Sequence, residues 1–271
     1  MNFAGLDIGG ANIKFASTSG EMREIPFAFW KHKDKLNETL EQFREFIAPD
    51  DLIGVTMTAE LADCFESKRD GVRFVVQSVL KTFGTSTNPR SEHQPLFYRT
   101  DGAMCDAQTA IDDWKLVAAA NWHALAWLAF QNSDQNSGFV FDIGSTTTDI
   151  IPVRDGIPVN PRQNDLDRLS NGQLYYAGIG RTPICAVLDE IELDGQVRNI
   201  AREFFATTND ALIFLGDLPE DKTCLDTADG KSKSRQDVER RLLRMVCADS
   251  AELGNNSSQF ASEIASATQQ R

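Results

Sequence analysis

Two stretches of this chain put carboxylates, glycines and hydroxyls where a phosphate could be gripped. One is Gly138-Phe-Val-Phe-Asp-Ile-Gly-Ser-Thr-Thr-Thr-Asp149. Phe139 to Ile143 is an apolar, aromatic and β-branched run that reads as a buried strand. Asp142 stands near its end, Gly144 breaks it, and Ser145, Thr146, Thr147 and Thr148 crowd the turn before a second strand begins at Ile150. Hydroxyls and free backbone N–H groups converging on one point suit an anion, above all a phosphate. A carboxylate there is better suited to a cation or a water. The other stretch, Asn2 to Phe15, repeats the plan: a strand, Asp7-Ile8-Gly9, a small-residue turn through Gly10 and Asn12, and a second strand carrying Lys14. One Asp-Ile-Gly is a chance tripeptide. Two, each after a strand and before a turn, mark an internal repeat.

If both turns face one ligand, they supply two phosphate grips, and Asp7 and Asp142 would hold Mg²⁺ directly or through its water. Lys14 then brings a point charge to a phosphate, or else is a solvated strand residue.

The remaining elements must carry these turns. Lys35 to Ile47, with apolar residues at 3–4 spacing, predicts an amphipathic helix, and Leu52 to Met57 a buried strand. Thr58, Glu60 and Asp63 follow that strand directly, the usual address of a ligand in an α/β sheet; the alternative is that Thr58 caps a helix with acids in its first turn. Gly71 to Phe83 reads as a helix, 84–95 as a loop, and Asp112 to Asn132 as one long helix whose Trp114, Trp122 and Trp127 pack in a core. His123 reads as a satisfied core or rim histidine. Asp155-Gly156 predicts a hairpin turn. Gly178 and Gly180 permit close backbone approach, and Arg181 either clamps a phosphate or pairs with an acid. Thr182 to Leu188 reads as a strand, and Thr207, Thr208 and Asp210 as site groups or a helix cap, the cap being favoured. The expected boundary divides residues 1–134 from 135–271, with the C-terminal helix free to cross back.

With 271 residues the chain can bury a substantial core. No apolar run approaches the roughly 20 residues of a membrane span. The N-terminus lacks a basic, then apolar leader, so the expectation is a cytoplasmic protein. Its 40 acids against 27 bases argue against broad nucleic-acid binding, while leaving room for a small phosphorylated ligand. The five cysteines are unpaired in spacing and His is scarce, which gives no support to a structural zinc site built from local ligand pairs and predicts reduced, mostly buried thiols.

The paired turns resemble those of the acetate kinase/sugar kinase/Hsp70/actin superfamily. That resemblance implies an α/β fold of two ribonuclease H-like lobes with a cleft between them. Asp142 to Ile150 is similar to the hydantoinase A/oxoprolinase branch. Leu6-Asp-Ile-Gly-Gly-Ala-Asn-Ile-Lys14, Val55-Thr-Met-Thr-Ala-Glu-Leu-Ala-Asp63 and Arg202-Glu-Phe-Phe-Ala-Thr-Thr208 together resemble the tetrahydromethanopterin-linked C1 transfer pathway protein family. That family implies a transferase joining an aminomethylfuran-methyl diphosphate to the phenol oxygen of γ-glutamyltyramine, with release of pyrophosphate. It also implies a cleft-facing Asn121; Thr58, Gly178 and Gly180 are read beside it as substrate neighbours, and a base is useful for the phenol, with Glu60 or Asp63 as the candidates. ATP is the superfamily's usual ligand, but no late Gly-Gly marks an adenine pocket; Gly178-Ile-Gly180 is the nearest substitute. A kinase or hydantoinase-type enzyme, and a sensor that binds a phosphorylated ligand unchanged, stand as alternatives. Nothing in the sequence speaks to oligomeric state.

Overall fold

The computed structural model describes residues 2–84, 93–159 and 164–271; the middle of the 84–95 loop lies outside them. The described fold is mixed α/β and divides into two compact units, Met1–Val140 with Ile150–Gln173, and Phe141–Asp149 with Leu174–Arg271.

The first unit is built on a six-stranded sheet. Its strands are β1 (Phe3–Ile8), β2 (Asn12–Ser17), β3 (Met22–Pro26), β4 (Leu52–Met57), β5 (Leu96–Tyr98) and β6 (Met104–Cys105), in the order β3-β2-β1-β4-β5-β6. β1 runs antiparallel to β2 and parallel to β4, so it sits in the sheet interior. Alternation buries Ala4, Leu6 and Ile8 on one face and turns Asp7 to the other. Helices α1 (Phe29–His32), α2 (Leu36–Glu41) and α3 (Lys68–Phe83) follow, and Val72, Val75, Val76, Val79 and Phe83 of α3 join the sheet's buried face in one core. Each such side chain taken from water contributes about 1.5–3 kcal/mol.

Two helix expectations need correction. The helix over Lys35 to Ile47 stops at Glu41: the Gln42 N–H bonds to Leu40 and Thr39, and a 3-10 turn at Arg44–Phe46 leads to an extended Ile47. The long helix over Asp112 to Asn132 is two shorter ones, α5 (Trp114–Val117) and α6 (Asn121–Gln131), preceded by α4 (Ala107–Asp112), which ends where the range begins. Alanine-rich sequence favours a helix through 118–120, yet the Thr100 N–H takes the Leu116 carbonyl at 2.8 Å, the acceptor Ala120 would need. Ala119 turns left-handed at φ 49° instead. The tryptophans therefore do not share one stripe: Trp122 is buried, Trp114 half-buried and Trp127 exposed.

A second sheet contains β7 (Gly138–Ile143), β8 (Thr148–Arg154), β9 (Ile157–Pro158) and β10 (Leu174–Tyr175), in the order β10-β8-β7 with β9 on β8. The Asp155-Gly156 turn is as expected, both residues at positive φ. β7 corrects the reading of a buried strand, since Phe139, Phe141 and Ile143 are all more than half exposed. The physical reason is the face they share: alternation puts these three on one side of β7, while Val140 on the other side packs with Trp122, Ile151 and Val153. Helix α7 (Asp165–Ser170) follows, capped by Asn164.

In the second unit, Thr182 to Leu188 forms a 3-10 turn at Ile184–Ala186 rather than a strand, because Pro183 bridges to Thr207 instead of extending a sheet. β11 (Glu190–Leu193) and β12 (Gln196–Asn199) make a hairpin about Asp194-Gly195. Helices α8 (Thr208–Leu215), α9 (Arg235–Arg244), α10 (Ser250–Leu253) and α11 (Ser257–Gln269) complete it. Ala211, Phe214, Leu242, Leu243, Phe260 and Ile264 form its core. Of the cysteines, Cys105 is buried and Cys247 exposed; the others are half-buried, so the thiols are less sheltered than expected.

Candidate functional site

Both Asp-Ile-Gly turns close with the same bond. The Gly9 N–H donates to Asn12 O at 3.0 Å, and the Gly144 N–H to Thr147 O at 2.9 Å. Both are also pinned from outside through their carbonyls. In the first, Gly10 O accepts from the Phe29 N–H and Ala11 O from the Phe27 N–H. In the second, Gly144 O accepts from the Ile179 N–H, and Ser145 O from the N–H groups of Gly180 and Arg181. A trans peptide points its N–H opposite to its C=O, and no peptide here is cis. Pinning the carbonyls therefore turns the N–H groups of Ala11 and Asn12, and of Ser145 and Thr146, away from their supports. Among the described residues the Ser145 and Thr146 amides donate to no acceptor. Such outward amides are the donors an anion needs.

Around the first turn, Asp7 is half-buried on the sheet face opposite the core and accepts from Thr56 Oγ1 at 3.1 Å. Its cross-strand partner is the exposed Lys14, whose next partner is Glu24, giving a polar row Glu24–Lys14–Asp7–Thr56 across four strands. Thr58 makes no side-chain cap bond. Its hydroxyl instead lies 3.5 Å from where a Gly9 Cβ would stand, and its N–H donates to Ile8 O. The cap reading of Thr58 is thereby replaced by a place beside the turn.

Two residues further, Glu60 lies in a 3-10 turn, Ala59–Leu61, packed on α3. Gly71 makes that contact possible: a Cβ there would meet Glu60 Cα and O at 2.6 Å. Glu60 is 1% exposed, and neither carboxylate oxygen has a hydrogen-bond partner. Burial pushes its carboxyl up to about 8. Its own backbone N–H opposes this in part, Asp165 adds to it, and Lys68 and the Ala119 N–H oppose it more weakly. Those amides favour the charged form without reaching hydrogen-bond geometry. Lys68 and Asp165 form an ion pair at 2.9 Å. Asp63 is exposed. Asn121 opens α6, its Oδ1 accepting from the Trp122 N–H at 2.9 Å.

His123 is buried, as expected, but only half satisfied: Nδ1 lies 2.9 Å from the Tyr98 hydroxyl, while Nε2 has no partner. Burial holds its imidazole down at about 4.

In the second unit, Asp142 is half-buried and Ser145 and Thr146 bring their hydroxyls 3.4 Å apart. Gly178 and Gly180 lie against the turn. A Gly178 Cβ would stand 2.4 Å from Gly144 O and 2.7 Å from both Ser145 C and Thr146 N, and a Gly180 Cβ 3.0 Å from Ser145 Cβ. Arg181 is exposed, with its backbone N–H bound to Ser145 O. Thr207 and Asp210 cap α8: Asp210 Oδ2 accepts the Thr207 N–H at 2.9 Å.

The backbone supports at Phe27 and Phe29, and the service of Gly71 to Glu60, escaped the sequence reading. A glycine inside a helical pattern was the signal available for the last. Among the described residues no group of three or more His, Cys, Asp or Glu could hold a metal by itself, and no helix is long and apolar enough to cross a membrane.

The hydantoinase/oxoprolinase family model matches residues 51–271. Two curated relatives bear the name (4-{4-[2-(γ-L-glutamylamino)ethyl]phenoxymethyl}furan-2-yl)methanamine synthase. That of Methanocaldococcus jannaschii is 36% identical over 90% of this chain and 71% of its own length. That of Methanococcus vannielii is 38% identical over 44% of this chain and 53% of its own. Among solved structures, the Ppx/GppA family member of Aquifex aeolicus is 12% identical, covering 58% of this chain and 49% of its own, at a TM-score of 0.33. An exopolyphosphatase-like protein is 13% identical, covering 66% and 51%, at 0.31.

Proposed function

The chain belongs to the hydantoinase/oxoprolinase family, in the group of the two synthases named above, and from that premise we propose that it makes the aryl ether of a methanofuran-type cofactor. The observation that carries this reading is the pair of like-built turns, each with amides turned outward as donors for phosphate oxygens. The reading also takes the two units as the superfamily's ribonuclease H-like lobes.

The donor is an aminomethylfuran-methyl diphosphate and the acceptor the phenol of γ-glutamyltyramine. The phenol oxygen bonds to the furan methylene carbon, the bond from that carbon to the diphosphate oxygen breaks, pyrophosphate leaves, and the phenol proton passes to a base. The candidate phosphate-binding groups are Gly9, Gly10, Asn12 and Lys14 at the first turn and Gly144, Ser145, Thr146, Thr147 and Arg181 at the second. Magnesium takes most of its ligands from water and phosphate, so single carboxylates such as Asp7, oriented by Thr56, and Asp142 suit it. When bound it would supply positive charge to offset that of the departing diphosphate. Preorganised amides add to that stabilisation without reorganising.

Glu60 is the better base, since its proton affinity lies near neutral pH and no protein donor occupies its oxygens. Because it is shut off from solvent, the Ala59–Leu61 turn must open for the acceptor. Glu60→Gln is expected to depress turnover at least about 100-fold, the usual worth of a positioned base, while pyrophosphate affinity stays near that of the parent. Equal loss of both would remove Glu60 from this role, and a larger loss in Asp63→Asn would assign it to the exposed carboxylate.

The reading as a whole is tested by calorimetric titration with Mg²⁺ present. Tight binding of pyrophosphate and none of ATP is the expected result. ATP binding that pyrophosphate barely displaces would instead favour a kinase or hydantoinase-type reaction.

A further inference from the structure

We infer that the buried Arg241–Asp210 pair is a positioning device for the Gly144–Thr147 turn, acting through Thr208 and the Gly178-Ile-Gly180 loop, and that it sets how tightly this turn grips a diphosphate. The inference rests on the reading of that turn as phosphate-binding.

The links run through one unit. Arg241 is fully buried, and its Nε and Nη2 both donate to Asp210 Oδ1, at 2.9 and 2.7 Å. Its Nη1 reaches Asp229 Oδ1 at 3.0 Å, so the guanidinium is held between two acids and cannot swing. Asp210's second oxygen holds the Thr207 N–H and so fixes the first residues of α8. The next residue, Thr208, is tied to the glycine loop twice: its N–H donates to Thr182 O at 2.9 Å, and its hydroxyl to Gly178 O at 2.8 Å. Thr182 Oγ1 accepts the Gly178 N–H at 2.7 Å. Holding the Gly178 carbonyl fixes the plane whose other end is the Ile179 N–H, and that N–H pins Gly144 O. The Gly144–Ser145 plane is thereby set, and with it the outward direction of the Ser145 N–H.

A buried ion pair is a poor source of net stability against an apolar replacement. Rigid placement of a charge-bearing helix start is the better account of its presence here.

The test titrates pyrophosphate with Mg²⁺ into the full chain. Thr208→Val keeps the side-chain shape and removes the hydroxyl donor; Thr208→Ser keeps the donor. Loss of one positioning hydrogen bond should weaken pyrophosphate about 10-fold in the valine variant, and serine should restore affinity to within about threefold. Asp210→Asn, which removes the charge facing Arg241 and replaces the acceptor of the Thr207 N–H with an amide donor, should weaken binding at least as much and speed hydrogen exchange over residues 178–181. Valine and serine variants that bind alike, or an Asp210→Asn protein that folds and binds as the parent does, would overturn the inference. Failure of the parent chain to bind pyrophosphate would instead bring down the phosphate reading on which it rests.

Discussion

Between pH 6.5 and 8 the folded state is expected to lose about 2 kcal/mol of stability, and Glu60→Gln should abolish that loss. Burial holds the Glu60 carboxyl at about 8 against an ordinary 4.5. The unfolded chain releases this proton above 4.5 while the folded chain keeps it to about 8, so stability falls with rising pH across that window. His123 works in the opposite sense. Its imidazole titrates at about 4 when folded and 6.5 when free, so its contribution is complete above 6.5 and is lost as pH drops toward 4. At about 1.4 kcal/mol per pH unit for each group, the two slopes cancel between 4.5 and 6.5, leaving a plateau and then the Glu60 fall. Glu60→Gln should therefore rise by about 3 kcal/mol from pH 4.5 to 6.5 and then stay level. His123→Gln should decline by about 5 kcal/mol from 4.5 to 8. Urea unfolding of the three proteins at half-unit pH steps checks this, and an unchanged fall above pH 6.5 in Glu60→Gln would assign it to another group.

Gly178→Ala is expected to cost about 1–3 kcal/mol in stability and to weaken pyrophosphate binding more than Gly180→Ala does. Its methyl would enter the Gly144–Thr146 backbone at three points under 3.0 Å, and backbone cannot rotate aside as a side chain can. The turn must shift, and the amides it presents shift with it. At Gly180 the nearest atom is Ser145 Cβ at 3.0 Å, so a small adjustment suffices. Chemical denaturation and pyrophosphate titration of both alanine variants give the comparison. Equal effects would show that the loop does not support the turn.

The two turns were legible because their requirements are local. A strand of alternating apolar residues, a glycine free of Cβ, and small or hydroxyl residues next to it are one continuous stretch of chain. So were α3, the β8–β9 hairpin turn and the α8 cap, each set by residues within a few positions. The long helix over 112–132 was misread for the opposite reason. Its breaking element is the Thr100 N–H, from a distant segment, and no propensity within the helix reveals it. β7 illustrates the same limit: its composition is that of a buried strand, yet burial depends on what packs over the face its side chains share.

Residue types and spacing thus determined by themselves the repeat, the placement of Asp7 and Asp142 at strand ends, and the exposure of glycine-turn backbone. Only the tertiary structure decided that Gly178 and Gly180 lie against the second turn, that Thr58 sits beside Gly9 instead of capping, and that Glu60 is enclosed under Gly71 with no partner. Such facts depend on segments meeting in space. Distance between backbones, and the withdrawal of water from a carboxyl, arise only from packing.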